Sequence, residues 1–366
     1  MDFKSMINKD ELVNDFISLV KIDSPSFKEE EVIKYCCKEF ETLGLDYEKT
    51  PFDNTSNIYA FKKGELDGGL ILGAHMDVVQ PCIGIKPQVN NGKITSDGTT
   101  ILGGDNKIAV ACIIYALKIL NKNKIPHIDI ELAFSSAEEA GVYGAKYFDT
   151  SKFKYKEGVI FDAGGEMGGI VTGAPTHDVY TITVKGKSAH AGISPDNGDN
   201  AIIKAAKIIP LLPYGRIDRQ TVSNVGVIRG GKATNIVPDE VVLKGELRSH
   251  SNEVLDEYKN KIEKTLKESF KENEYEIDYE RQYHHFDIDK KHPLILKISN
   301  IMKNIDIEPR PFITGGGSDA NVFNKKGLEI INVSCGMMKP HSLEEYVLIE
   351  DLIKTTTIIL GLLTNN

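Results

Sequence analysis

The 366-residue chain exceeds the size at which one hydrophobic core stops growing, so two domains are expected. With 44 basic against 53 acidic residues the net charge is −9, and no basic run reverses it, which argues against non-specific binding to nucleic acid or to an anionic membrane. Apolar residues at 41% suffice for a substantial core, and five cysteines without a CxxC pair point to buried thiols in a reducing compartment rather than to a disulfide framework.

The first residues, MDFKSMINKDELVND, are charged throughout and lack a signal-peptide apolar core. The most apolar stretch, Ile108 to Leu120, is interrupted by Lys118 and too short to span a bilayer, so a soluble, cytoplasmic protein is expected. Two helix starts follow, Asn8 with Glu11 and Ser26 with Glu29, each at capping-box spacing, and Gly44 suits the end of the second helix. Short apolar runs then alternate with helical sequence: Gly69 to Val79, a helix from Lys107 to Leu120, Ile128 to Ser135, and Gly158 to Asp162. Strands apolar on both faces and separated by helices predict an α/β fold, a mostly parallel sheet sandwiched by helices.

Near Thr176 the pattern changes. DVYTITVKGK, starting at Asp178, alternates with period two. A helix (Asn200 to Ile209), strands Val222 to Ile228 and Val241 to Leu247, a charged helix from Asn252 to about Phe270, and a strand from Tyr275 to Tyr283 follow. Strand–helix–strand–strand–helix–strand is the ferredoxin-like order. After His292-Pro293 the two-sided apolar pattern returns, with strand Leu328 to Ser334 and a closing helix from Ile349. An α+β domain over 176–287 is therefore expected inside a discontinuous domain of 1–175 and 288–366.

Polar residues with metal-binding capacity fall at strand ends, where open α/β sheets place their ligands. In GAHMDVVQP, His75 and Asp77 are two apart and share one side of a strand. In ILGGDNK, Asp105 stands directly before a helix, where it is equally suited to an N-cap. FSSAEEAG ends a strand with Glu138 and Glu139, adjacent carboxylates that form either a solvated pair or a pair neutralised by a cation or proton. GVIFDAGG ends the next strand with Asp162, and KPHSLEEY places His341 in a loop. Imidazole and carboxylate donors without thiolate suit Zn²⁺, Co²⁺ or Mn²⁺. The set exceeds the needs of one zinc, and two metals sharing a bridging carboxylate is the simpler reading. GxSxG, P-loop, HExxH and GxGxxG motifs do not occur.

Taken together, GAHMDVV, GGDNKIAVA, SAEEAG, FDAGG, GKSAHAG, TNIVPD, GGGSDAN and the final PHS loop resemble the M20 metallopeptidases, most closely the peptidase T-like (tripeptidase) branch, over essentially the whole chain. The resemblance implies that His75 and Asp162 hold one metal, that Glu139 and His341 hold the other, and that Asp105 bridges both through a loop whose Asp105–Asn106 peptide is cis. It implies that Asp77 orients the His75 ring and that Glu138 is the general base. It further implies that His190 stabilises the oxyanion, usually from the partner subunit, although a loop histidine taken alone is more often structural. Asn235 and Arg248 resemble substrate-binding positions, and the amides of Gly315, Gly316 and Gly317 could receive a substrate carboxylate or simply form a tight turn. The inserted segment would serve as a lid and dimerisation domain in a homodimer. The implied activity is exopeptidase cleavage of short peptides. The alternatives are an amidohydrolase or carboxypeptidase acting on dipeptides or N-acyl amino acids, and a non-catalytic metal-binding scaffold.

Overall fold

The computed structural model describes residues 2–364, which divide into two compact units. The first comprises Met1–Gly173, Asp287–Thr314 and Ser318–Asn366, and the second Ala174–Phe286 with Gly315–Gly317. No helix among the described residues is long and apolar enough to cross a membrane.

The first unit is built on a mixed sheet in the order Asp46–Phe52, Thr55–Lys62, Asp129–Ser135, Gly69–His75, Glu157–Ala163, Glu329–Ser334, Gly169–Ala174. Its four central strands run parallel. Antiparallel strands flank them: Thr55–Lys62 against Asp129–Ser135 on one side, and Gly169–Ala174 against Glu329–Ser334 on the other. The central strands carry almost uninterrupted apolar sequence because both faces are covered. Helices Lys9–Val20, Gly104–Asn123 and Ile349–Leu363 pack together in the core, and Glu30–Leu43 joins them through Phe40, which lies against Phe134. The parallel strands lie in the order second, first, third, fourth along the chain. The direction of winding therefore reverses between the first strand, ending at His75, and the third, carrying Asp162. Such a reversal opens a crevice at the strand carboxyl ends.

The antiparallel Asp46–Phe52/Thr55–Lys62 hairpin and the small sheet of Gln88–Asn90, Lys93–Thr95 and Tyr346–Leu348 are additions to the expected elements. Asn8 caps the first helix, accepting from the Asp10 and Glu11 amides, and Gly44 closes the second in the left-handed conformation at φ 70°. The expected capping box at Ser26 and Glu29 does not form. The helix begins at Glu30, and both side chains turn to the strand-end loops described below.

In the second unit an antiparallel sheet runs Gly215–Arg216, Thr221–Gly230, Glu240–Ser249, Thr176–Lys185, Tyr275–Tyr283. Its four long strands follow the ferredoxin-like order. Tyr180, Ile182 and Val184 of the Thr176–Lys185 strand meet Ala201, Ala205 and Ile208 of one helix and Leu255, Ile262 and Leu266 of another, forming that unit's own core.

Candidate active site

The crevice at the winding reversal gathers donors from five separate segments. His75 ends its strand nearly buried, with Nε2 3.1 Å from Asp105 Oδ1 and 3.4 Å from Asp162 Oδ1. The other oxygen of Asp105 lies 3.4 Å from His341 Nε2, which is itself 3.0 Å from Glu139 Oε1. Two three-residue groups result, His75–Asp105–Asp162 and Asp105–Glu139–His341, each with ligand atoms within 4.8 Å of one another and with Asp105 in both. The two carboxylate oxygens of Asp105 thus face different groups, as a bridging ligand requires. The Asp105–Asn106 peptide is cis, and both residues leave helical geometry at the start of their helix.

Charge explains why this cluster fits cations. Burial works against a charged His75, yet Asp162, Asp105 and Asp77 outweigh it and lift the ring well above the ordinary histidine range. His341, bonded to Asp105 and Glu139, is raised to about 10. Burial pushes Asp162 up to about 7 against the pull of His75, and it raises Glu139 despite the bond from His341. Carboxylates outnumber imidazoles here, and the excess negative charge draws in positive charge. Oxygen and imidazole donors in this arrangement fit divalent zinc, cobalt or manganese.

Glu138 belongs to neither group. It is buried beside them. Burial, reinforced by Asp162, raises its pKa well above the usual carboxylate range. A carboxyl group next to the cluster but outside its contacts is available to carry a proton.

The turn bearing both glutamates is held from outside. Ala137 and Val142 adopt positive φ, costly for residues with a Cβ and tolerated where surrounding structure fixes the backbone. Three successive amides of this turn meet buried carboxylates: Ala137 N–H donates to Glu29 Oε1, Glu138 N–H to Asp77 Oδ1 and Glu139 N–H to Asp77 Oδ2. The Ser26 hydroxyl donates to the same Asp77 Oδ2 at 2.7 Å. Asp77 therefore differs from the expected role in its main contacts. The ring nitrogen His75 Nδ1 lies 3.0 Å from the Asp77 carbonyl oxygen but 3.5 Å from its carboxylate, so the main chain contributes most to orienting the ring.

Several residues around the cluster escape sequence reasoning. Glu345, buried in the His341 loop, accepts from three amides of the Asp105 loop. Asn332 Oδ1 accepts from Asp162 N–H. Asp319, beside the glycine turn, is buried against the Ser135 hydroxyl, and burial raises it to about 6.

Comparisons with known proteins place the chain in a family. Residues 176–274 match the M20 peptidase dimerisation domain, and residues 57–190 match peptidase family M28. The uncharacterised protein YqjE of Bacillus subtilis is 34% identical over 98% of this chain and 99% of its own length. The crystal structure of aminopeptidase PepT from Bacillus cereus superposes with a TM-score of 0.88 at 34% identity, covering 98% of each chain. That of a tripeptidase from Staphylococcus aureus gives 0.91 at 33%, again over 98% of each. The chain belongs to the M20 metallopeptidase family, in its peptidase T-like branch. It is a metallopeptidase, a hydrolase of peptide bonds.

The remaining residues expected from the resemblance lie in the second unit. His190 is exposed and its Nδ1 accepts from Gly192 N–H at 3.2 Å. Its loop pairs with the TNIVPD segment: the Asn235 carbonyl accepts from Ala191 N–H and His190 bridges Ile236. His190 and Asn235 are therefore neighbours. Arg248 is held by Glu246 at 3.0 Å and donates to Tyr283 Oη and to the Gly315 carbonyl. A Cβ at Gly317 would stand 2.2 Å from the Tyr283 ring, so this glycine is required for close packing, while Gly315 is open.

Proposed function

We propose that this M20 peptidase is a two-metal exopeptidase of short peptides, tripeptide aminopeptidase-like, with zinc as the native metal and cobalt or manganese as competent substitutes. The observation that carries the reading is the pair of three-donor groups sharing Asp105, with Glu138 buried beside them and committed to neither. His75 and Asp162 would hold one cation, Glu139 and His341 the other, and Asp105 both. When bound, the cations supply Lewis-acid polarisation of the scissile carbonyl and acidify water.

In this scheme Glu138 takes the proton of the attacking water and delivers it to the departing amine. Asp77 keeps Glu138 and Glu139 in register by holding their amides. His190 Nε2–H donates to the developing oxyanion. Asn235, Arg248 and the Gly315–Gly317 turn bind substrate. The names of the full-length relatives, an aminopeptidase and a tripeptidase, support the substrate class. The match to a peptidase dimerisation domain, together with exposed Ile202, Ile203, Val227 and Ile228 on the second unit, supports a homodimer joined through that unit. Five free, buried cysteines fit a reducing, cytoplasmic setting.

The test is a substrate panel run with zinc-loaded wild type and Glu138→Ala. Tripeptides should be cleaved at the amino-terminal bond, in preference to dipeptides and N-acyl amino acids. The variant should retain metal and lose about 10²- to 10⁴-fold in kcat. Preference for N-acyl amino acids would replace the substrate assignment. Near wild-type turnover by the variant would remove Glu138 as the base.

A further inference from the structure

Glu345 lies four residues beyond His341, and its side chain crosses to a segment some 240 residues earlier in the chain. One oxygen accepts from Leu102 N–H and Gly103 N–H, both at 2.8 Å, and the other accepts from Asp105 N–H at 3.0 Å. The residue is 1% exposed, so these bonds are shielded from competing water. The approach is close enough that a Cβ at Gly104 would stand 3.1 Å from Glu345 Oε1 and 2.9 Å from the Val347 side chain. Glu344, next in sequence, instead points outward to Lys339. One buried carboxylate therefore joins the backbone of the Asp105 loop to the loop that carries His341.

We propose that Glu345 is a positioning residue that fixes Asp105 relative to His341 and so sets the geometry of the Asp105–Glu139–His341 metal group. The proposal rests on the two-metal reading above. Glu345 touches neither metal nor substrate; it acts through three amide donors. A glutamine cannot replace it, because an amide nitrogen has no lone pair to offer a backbone N–H, so either orientation of the side chain leaves at least one amide facing another donor. Aspartate keeps the charge and the acceptors but is one methylene short.

The experiment titrates metal-stripped wild type, Glu345→Gln and Glu345→Asp with Co²⁺, following its visible absorption, and measures tripeptide kinetics and thermal midpoints on the same samples. Wild type should take up two equivalents. Glu345→Gln should bind the second equivalent about 10- to 100-fold more weakly, with an altered Co²⁺ spectrum. It should lose kcat with KM unchanged, since ground-state binding of the peptide is untouched. Glu345→Asp should fall between the two, and it alone decides the matter if the glutamine variant does not fold. Folded variants with wild-type Co²⁺ affinity, spectrum and kcat overturn the role of Glu345 and leave the two-metal reading standing. A wild type that saturates below two equivalents overturns that reading, and this proposal with it.

Discussion

At the scale of single residues, the candidate site divides acidic side chains by what they touch. Asp105, Glu139 and Asp162 join imidazoles in the two donor groups, Glu138 joins neither, and Asp77, Glu29 and Glu345 accept backbone amides. Only the amide-binding carboxylates have their role fixed by hydrogen bonds to the main chain. This sets the expected effect of Asp77→Asn. The substitution turns an acceptor into a donor opposite the Glu138 or Glu139 amide, loosening the turn that carries the base while His75 keeps the main-chain carbonyl at its Nδ1. Activity should fall by about 10- to 100-fold with bound zinc largely retained, as kinetics and metal analysis of one preparation will show. Stoichiometric loss of zinc would instead mean that Asp77 acts mainly through the ligands.

At the scale of elements, the strand ends were legible because metal-capable residues interrupt apolar runs. His75, Glu138, Glu139 and Asp162 all stand at or just past the carboxyl ends of buried parallel strands. The acceptors that brace them were not legible. Ser26 and Glu29 have the spacing of a capping box, and only the fold shows that the Asp77 carboxylate and the Ala137 amide are better partners. Glu345 looks like its neighbour Glu344 until the chain is folded, because its partners are backbone groups remote in sequence. The antiparallel hairpin was missed because its first strand, Asp46–Phe52, is largely polar and partly exposed.

The second unit holds a comparable device away from the site. Asp178, buried at the start of its strand, binds Arg281 through both oxygens, at 2.7 and 2.9 Å, and also pairs with Lys259. Burial raises the Asp178 pKa, but the two cations outweigh it and the net shift is downward. A carboxylate depressed in the folded state adds stability that is complete above its unfolded value of about 3.9 and is lost as pH falls through the lower folded value. Asp178→Asn should therefore cost about 2 kcal/mol near neutral pH, a discounted figure because Arg281 and Lys259 are partly exposed and can return to water. The difference in urea midpoint between variant and wild type should shrink below about pH 4. A gap independent of pH would mean that packing, not charge, sets the cost.

At the scale of the whole molecule, a mostly parallel sheet carrying the donor cluster and a ferredoxin-like unit are joined in one chain, and both sheet patterns were readable from hydrophobic periodicity. Assembly was expected from family resemblance alone, and the structure adds the exposed apolar residues of the second unit. We expect wild type to sediment as a dimer and the double variant Ile203→Glu, Ile228→Glu to sediment as a folded monomer. A wild type that is monomeric at micromolar concentration would contradict the proposed assembly.

The central claim is that two cations sharing Asp105 support peptide hydrolysis. Its most direct test is Zn²⁺ titration of metal-stripped wild type while amino-terminal residue release from a tripeptide is followed. The account predicts that activity rises with added zinc and reaches its plateau at two equivalents per chain. A plateau at one equivalent, or full activity in the stripped protein, would contradict it.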